Sequence, residues 1–585
     1  MRKVLAIAAM GSFAVLIAAL WARSPRSGPS APARLVVTYG EKGVEKLTYD
    51  GRVLEDVTQS PEDTFHIWHM KCTDLHGAPL TQGQYGWGET NAGRSWDGSS
   101  KTWTYNFVWG TIRAQFAQNA DNLDVKVTVV NHPGSGVTFD GAVIYPFALH
   151  FPQLPAAFGT AEYPQLAFTS VAPGVVLADY GSGETAAVVP DASRPLYAGF
   201  WPTGRGTGYS AMVSGTAPDG LATFQPHFDR PVAPGKTDSY VLSIRFAPAG
   251  APLRTLAADA YEQWARSWPQ QLHWSDRRAI GTVYLASSPA GDRERPGGYA
   301  NNPRRYFNNS NAGDFDIRSQ AGLAAFQRRI LAQAAANLLN LRRLHAQGAI
   351  TWDIEGEEYP QSTSYVCAPD EIASIAPEME SVVAERGSPY FGMKLDDAYF
   401  KTMTSAGFRV GVCVRPQHFT QEPGGGAKQV DLQPAAIADE LIRKMRFAHD
   451  RWGATIFYVD STVEANGAVL DAGIFEKVAA AFPDSLVIPE ESTPKYFAYT
   501  APFLSFIYHG DTGTDASVYN YYPHAFSVNL VNDADAGKLM AARSSLEEAV
   551  RRGDILMGHV DYWQSNNPAI VAIYQAAAAH SAHPQ

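Results

Sequence analysis

Cysteine is scarce in this chain: 585 residues carry three, Cys72, Cys367 and Cys413, an odd number without metal-ligand spacing. That excludes a disulfide framework and a cysteine-built zinc site. It leaves free or buried thiols, with Cys413 inside an apolar strand-like run. Positive charge is also short. Lysine and arginine total 47 against 58 acidic residues, a formal net charge of −11, and basic residues run no further than pairs such as Arg328 and Arg329. A nucleic acid would find no electrostatic foothold. The familiar short signatures are missing: no G-x-S-x-G elbow, no H-E-x-x-H pair and no P-loop. The glycine-rich GRGTGYS (Gly204 to Ser210) lies among strand-like segments with no helix after it and reads as a loop. Hydride, phosphoryl and serine-hydrolase chemistry therefore lack their parts, and neither a cofactor nor a metal is expected.

What is present is aromatic: 12% of residues, with 13 Trp and 27 Tyr, which suits either stacking surfaces or large β-rich cores. The length is too great for one ordinary core and predicts two large domains. At the N-terminus Arg2 and Lys3 precede an apolar stretch from Val4 to Leu20, then Trp21, Arg23 and a Pro/Ser/Ala-rich tether to about Ala33. This reads as an export signal or an uncleaved membrane anchor (residues 1–33), so the bulk of the chain is expected in the periplasm, secreted, or held at the inner membrane.

From 34 to 250 the pattern is β throughout. Leu123, Val125, Val127 and Val129 alternate with polar neighbours, as do Trp103, Tyr105, Phe107 and Trp109, and turn clusters such as NHPGSG punctuate them. This period of two over about 215 residues predicts an antiparallel sandwich. A helical linker follows (251–274), with Leu253, Leu256, Ala257, Ala260, Tyr261, Trp264 and Trp268 on one face and Pro269 ending it. From 275 to 585 short apolar runs alternate with amphipathic helices. AIGTVYLA, AITWDIE, FRVGVCV, ATIFYVD, SLVIPEE, FLSFIYH, AFSVNLV and DILMGHV supply eight candidate strands of a (β/α)8 barrel. Gly348 and Gly453 read as C-caps of the helices before strands two and four. An Arg/Asn/Gly-rich insertion, Gly291 to Asp314, follows the first strand on the side where loops usually serve an active face.

Two of these strands end in carboxylates about thirty residues apart. Asp460 closes ATIFYVD, where Ala454, Ile456, Tyr458 and Asp460 share one side by parity. Glu490 and Glu491 close SLVIPEE, and parity groups Glu490 with Leu486 and Ile488 toward the interior. Two acids at one barrel rim are the minimum equipment for cleaving a glycosidic bond. Burial and an ionised Asp460 would together raise the proton affinity of Glu490 and suit it to the acid role. Further rim residues read as substrate contacts. Trp352, Asp353 and Glu355 end strand two in TWDIEGEEYP, and Asp353 and Glu355 could equally form salt bridges or, with Asp460, a cation site. Arg415 and His418 end strand three, where Arg415 could hold a carboxylate or bind substrate oxygens. Tyr458 and Glu491 flank the acids. His559, Asp561 and Trp563 end strand eight, and Tyr508, His509 and Asp511 follow strand six.

A sandwich followed by a barrel, with Y-V-D ending strand four and a glutamate ending strand five, resembles the endo-α-N-acetylgalactosaminidase group of retaining glycoside hydrolases. It is more loosely similar to α-galactosidase-type barrels. The run LDVKVTVVNHPGSGVTFDGAVIYPFALHF resembles the galactose-mutarotase-like supersandwich that precedes such barrels. The resemblance implies Asp460 as nucleophile, Glu490 or Glu491 as acid/base and Asp353 as a substrate contact. An oligosaccharide or glycoconjugate would be the partner. The stretch STVEANG after Asp460 departs from that group's pattern, which leaves the sugar open. The competing reading is a non-catalytic carbohydrate-binding or cell-envelope protein on a degenerate glycosidase scaffold. Oligomeric state is not legible.

Overall fold

The computed structural model describes residues 34–57, 65–81, 93–150, 167–169, 176–179, 185–190, 197–202, 208–214, 231–248, 253–285, 317, 319–352, 354–355, 366–421, 427–463, 469–516, 518–531, 536–561, 563–564 and 566–581. The leader and tether, the Gly291 to Asp314 insertion and Asp353 lie outside the described residues. No helix among the described residues is long and apolar enough to cross a membrane.

The N-terminal half is antiparallel sheet. A seven-stranded sheet has Thr237–Ala247, Asn122–Asn131 and Gly110–Asn119 at its centre, and a six-stranded sheet contains His66–Asp74 paired with Val137–Tyr145. The alternation in the sequence explains the core. Leu123, Val125, Val127 and Val129 are essentially inaccessible, and they pack in one cluster with Ile112, Leu242 and Ile244 of their own sheet and Ile67, Phe139 and Ile144 of the other. Two sheets burying alternate residues against each other make a sandwich.

A helix at Ala258–Ser267 follows, after a 3-10 turn at Leu253–Ala257. It buries Tyr261 and Trp264 in the same cluster that holds Ala187 and Val189 of the sandwich and the helical layer of the second half. Trp264 Nε1 donates to the Tyr522 hydroxyl at 3.0 Å, and that hydroxyl donates to the Trp268 carbonyl at 3.1 Å. An indole N–H buried with a partner is a satisfied anchor, so this helix joins the two halves.

The second half is a nearly closed barrel of eight parallel strands. In chain order they are Ile280–Val283, Gly348–Thr351, Arg409–Val414, Ala454–Val459, Leu486–Pro489, Phe503–Ser505, Val528–Leu530 and Ile555–His559. Strands one to five and six to eight each pair in parallel with their sequence neighbours, and strand eight returns to strand one. Strands five and six are not laddered, although the Ala501 amide donates to the Val487 carbonyl at 3.0 Å across that seam. Interior residues Ile280, Ile350, Ile456, Leu486, Ile488, Val528 and Met557 form one cluster. Val412, Phe457, Val459, Val487 and Leu556 face outward to the helices. Alternate faces of each strand thus feed two cores.

The flanking helices carry their expected signals, with corrections. Pro434–Trp452 starts with proline in its first turn and ends at Gly453 in the left-handed region, φ 71°. Gln320–Arg343 begins at Ser319, whose hydroxyl accepts from the Gly322 amide at 3.0 Å. Gly348, expected as the C-cap of that helix, instead opens strand two, and the chain has already turned at His345, φ 52°. Strand six is three residues long, and the rest of FLSFIYH forms a one-turn helix at Phe506–His509. Ala454 does not share the interior side with Ile456. An irregularity in the pairing of strands three and four places Ala454 in the outer layer. Beside it Gly411 has no room for a side chain, because a Cβ there would sit 2.3 Å from the Ile456 carbonyl oxygen.

Candidate active site

Strand four delivers Asp460 to the C-terminal rim. Ile456 and Tyr458 face the barrel interior, and the Asp460 amide extends the ladder by donating to the Val414 carbonyl at 2.9 Å. Glu490 is placed in the same way one strand over, its amide donating to the Val459 carbonyl at 3.0 Å. The two acids therefore stand side by side on adjacent strands. After Asp460 the chain turns through Ser461 at φ 56°, which aims the Ser461 amide at Glu490 Oε2, 2.7 Å away. Glu491 follows, its amide donating to the Thr462 hydroxyl at 2.8 Å.

Asp460 is 8% exposed and gripped by Arg415. Arg415 Nε donates to Asp460 Oδ2 at 2.5 Å, and Nη2 reaches the same oxygen. The guanidinium is itself held, with Nη1 donating to Gln429 Oε1 at 3.0 Å and the Arg415 carbonyl accepting from Lys444 Nζ at 2.9 Å. Burial disfavours the charge on Arg415, but the facing Asp460 carboxylate outweighs it and raises its proton affinity. Glu490 moves the other way for an acid. Burial, then repulsion from Asp460, push its pKa up to about 7, while the Ser461 amide pulls against them. Burial also raises Glu491, opposed by the charge of His509. The pattern is one carboxylate neutralised by a cation and a neighbour that keeps its proton.

All three acids line a cavity of about 500 Å³ at the barrel rim. Its wall is aromatic: Tyr284, Trp352, Tyr458 and Phe503 contact in sequence with ring centroids at 5.4, 4.7 and 5.4 Å. Ser492, Leu504, Leu530, Tyr508, His509 and Asp511 complete the lining on the side of strands five to seven.

Of the expected substrate contacts, Trp352, Tyr458 and Glu491 line the cavity. Arg415 is not among the residues lining the cavity; its guanidinium holds the Asp460 carboxylate and meets Gln429. His418 lies outside the cavity as well. It opens a hairpin strand at His418–Gln421, and its Nδ1 sits 3.2 Å from Glu440 Oε1 on the next helix. Glu355 is 1% exposed and accepts from the Ala368 amide at 2.6 Å, a structural bond that fixes the segment carrying Cys367. Asp561 is turned to the Tyr284 amide at 3.4 Å and to His559 at 3.6 Å, behind the aromatic wall. Burial raises its proton affinity, with His559 opposing.

Among the described residues the only close group of metal-type ligands is Cys367, Cys413 and Asp460, within 4.8 Å of one another. The guanidinium on Asp460 supplies the positive charge a cation would bring. All three cysteines are buried and free. Sequence reasoning missed Tyr284 and Phe503. Tyr284 could have been found by extending the parity of Ile280 and Thr282 by two residues. Phe503 gives no such signal, because its strand is too short for a period.

No family model matches the chain, and neither does any curated protein. Its fold is similar to that of solved structures. The ligand-free α-N-acetylgalactosaminidase NagBb from Bifidobacterium bifidum aligns over 94% of this chain and 92% of its own, at 12% identity and a TM-score of 0.50. The galactosidase domain of the α-galactosidase-sucrose kinase AgaSK aligns over 88% of this chain and 74% of its own, at 10% identity and a TM-score of 0.42. The first of these matches the architecture of sandwich followed by barrel across nearly the whole chain.

Proposed function

We propose that the chain is an exported glycoside hydrolase that cleaves α-linked sugars with retention of configuration. The observation that carries this reading is the adjacent pair at the rim: Asp460 facing Arg415, and Glu490 holding a proton to about pH 7, both in one aromatic-walled cavity. The similarity in fold to an α-N-acetylgalactosaminidase is consistent with it. An Asp460 carboxylate would attack the anomeric carbon, forming a glycosyl ester as the C–O bond to the leaving group breaks. A protonated glutamic acid would deliver its proton to the leaving oxygen, then take one from the water that hydrolyses the ester. Arg415 orients Asp460 and leaves the reacting atoms to it. Trp352 and Tyr458 supply ring faces for the sugar.

Glu490 is the acid on the strength of its raised proton affinity. A second reading is favoured by one placement. Glu490 stands directly beside Asp460 on the adjacent strand, whereas a retaining pair stands on either side of the scissile bond, about 5–5.5 Å apart. In that reading Glu491 is the acid, and Glu490 tunes the nucleophile. The competing view of a binding protein on a degenerate scaffold predicts tight sugar binding without turnover. The test is a panel of aryl α- and β-glycosides differing in sugar. Turnover confined to one or more α-glycosides supports the proposal, and binding without turnover across the panel defeats it.

A further inference from the structure

We propose that Tyr508, with His509 and Asp511, forms the leaving-group subsite of this cavity, built to hold a second sugar ring. The inference rests on the glycosidase reading and adds to it the class of group that departs. Tyr508 is a large aromatic residue with 73% of its surface exposed, yet it lines the cavity. An exposed ring that fills no core is available for stacking.

Its backbone is firmly held. The Ser505 hydroxyl accepts from the Tyr508 amide at 3.1 Å, and Gly510 closes the turn at φ 75°. Asp511 Oδ2 accepts from the Ser505 amide at 3.0 Å, while Asn529 ties both ends, donating to the Asp511 carbonyl at 2.9 Å and accepting from the Phe506 amide at 3.0 Å. A bare aromatic side chain on a braced turn is a preorganised platform.

Two polar groups flank the ring. His509 is 72% exposed at the side chain and lies 3.6 Å from Asp511 Oδ2. A ring face bordered by a donor and an acceptor matches a pyranose, which offers an apolar C–H face and hydroxyls at its edge. The platform also lies on the glutamate side, since it follows strand six, which neighbours across the Ala501–Val487 seam the strand that ends in Glu490 and Glu491. The proton donor and the departing group must share that side.

The test uses the full chain with two substrates of the preferred sugar: the α-glycosyl fluoride, whose leaving group has no ring to stack, and an α-linked disaccharide. Tyr508→Ala should lower kcat/KM for the disaccharide about tenfold, mainly through KM, and the fluoride far less. Tyr508→Phe should restore most of the loss, because the ring face is kept. Equal losses on both substrates, or none on either, overturn the platform while leaving the hydrolase reading standing. A wild-type enzyme that cleaves the fluoride but no disaccharide overturns the sugar assignment. Failure on a full set of α-glycosyl fluorides overturns the hydrolase reading, and the subsite with it.

Discussion

Arg415 grips one oxygen of Asp460 with two of its nitrogens, and both residues are nearly buried at the rim. A planar fork on a single carboxylate oxygen fixes the direction in which the other oxygen points. Lysine cannot reproduce that geometry. Arg415→Lys should therefore fold with near-native stability yet lose roughly tenfold or more in kcat, with KM little changed. Arg415→Met should in addition lose about 3 kcal/mol of stability, because it leaves a buried carboxylate without its cation. Chemical denaturation and steady-state kinetics on the two variants separate these effects.

The two glutamates make opposite predictions. If Glu490 is the acid, Glu490→Gln should cut kcat/KM for a poor leaving group by about a hundredfold or more and spare kcat/KM for a dinitrophenyl glycoside. Glu491→Gln would then affect both substrates alike. Reversal of this pattern assigns the acid role to Glu491 and leaves Glu490 as the group that tunes Asp460. The measurement is the slope of log kcat/KM against leaving-group pKa for each variant.

The pH dependence has a definite sign. The Glu490 carboxyl is raised to about 7 by burial and by Asp460, so its proton is lost as pH rises through that value, and kcat/KM should fall above about pH 7. Stability follows the same group. The folded chain keeps a proton that the unfolded chain releases near the ordinary glutamate value, so stability declines as pH rises from about 4.5 to 7 and then levels off. Glu490→Gln removes this penalty. Its melting temperature should match the native protein at pH 4.5 and exceed it at pH 8, by an amount reflecting on the order of 2 kcal/mol. A difference independent of pH would contradict the assignment.

Much of the barrel could be read from the chain because periodicity writes burial directly. Ile456 and Tyr458 face inward as their spacing requires, and that spacing carried Asp460 to the rim. Ala454 broke the same rule, since the irregular pairing beside Gly411 has no one-dimensional trace. His418 and Glu355 show a second limit. Both follow strand ends, as Asp460 does, but His418 meets Glu440 and Glu355 meets the Ala368 amide, partners set by tertiary packing. Arg415 was legible as a rim cation, though its attachment to Asp460, 45 residues away, was one of two open roles. Tyr508 was legible as a rim residue after strand six, but Phe503 emerged only in three dimensions as part of the cavity wall, because a three-residue strand leaves no period to follow.

Asp460→Asn should keep its fold, at some loss of melting temperature from the unpaired Arg415, while losing at least about a thousandfold in kcat, because the amide cannot form the glycosyl ester. The most direct test traps that ester. The native protein is incubated with a 5-fluoro-α-glycosyl fluoride of its preferred sugar, digested at low pH, and the labelled peptide is sequenced by mass spectrometry. A glycosyl mass on Asp460, absent after the same treatment of the Asn variant, is the predicted result. A label on another residue, or complete turnover of the reagent with none retained, would contradict the account.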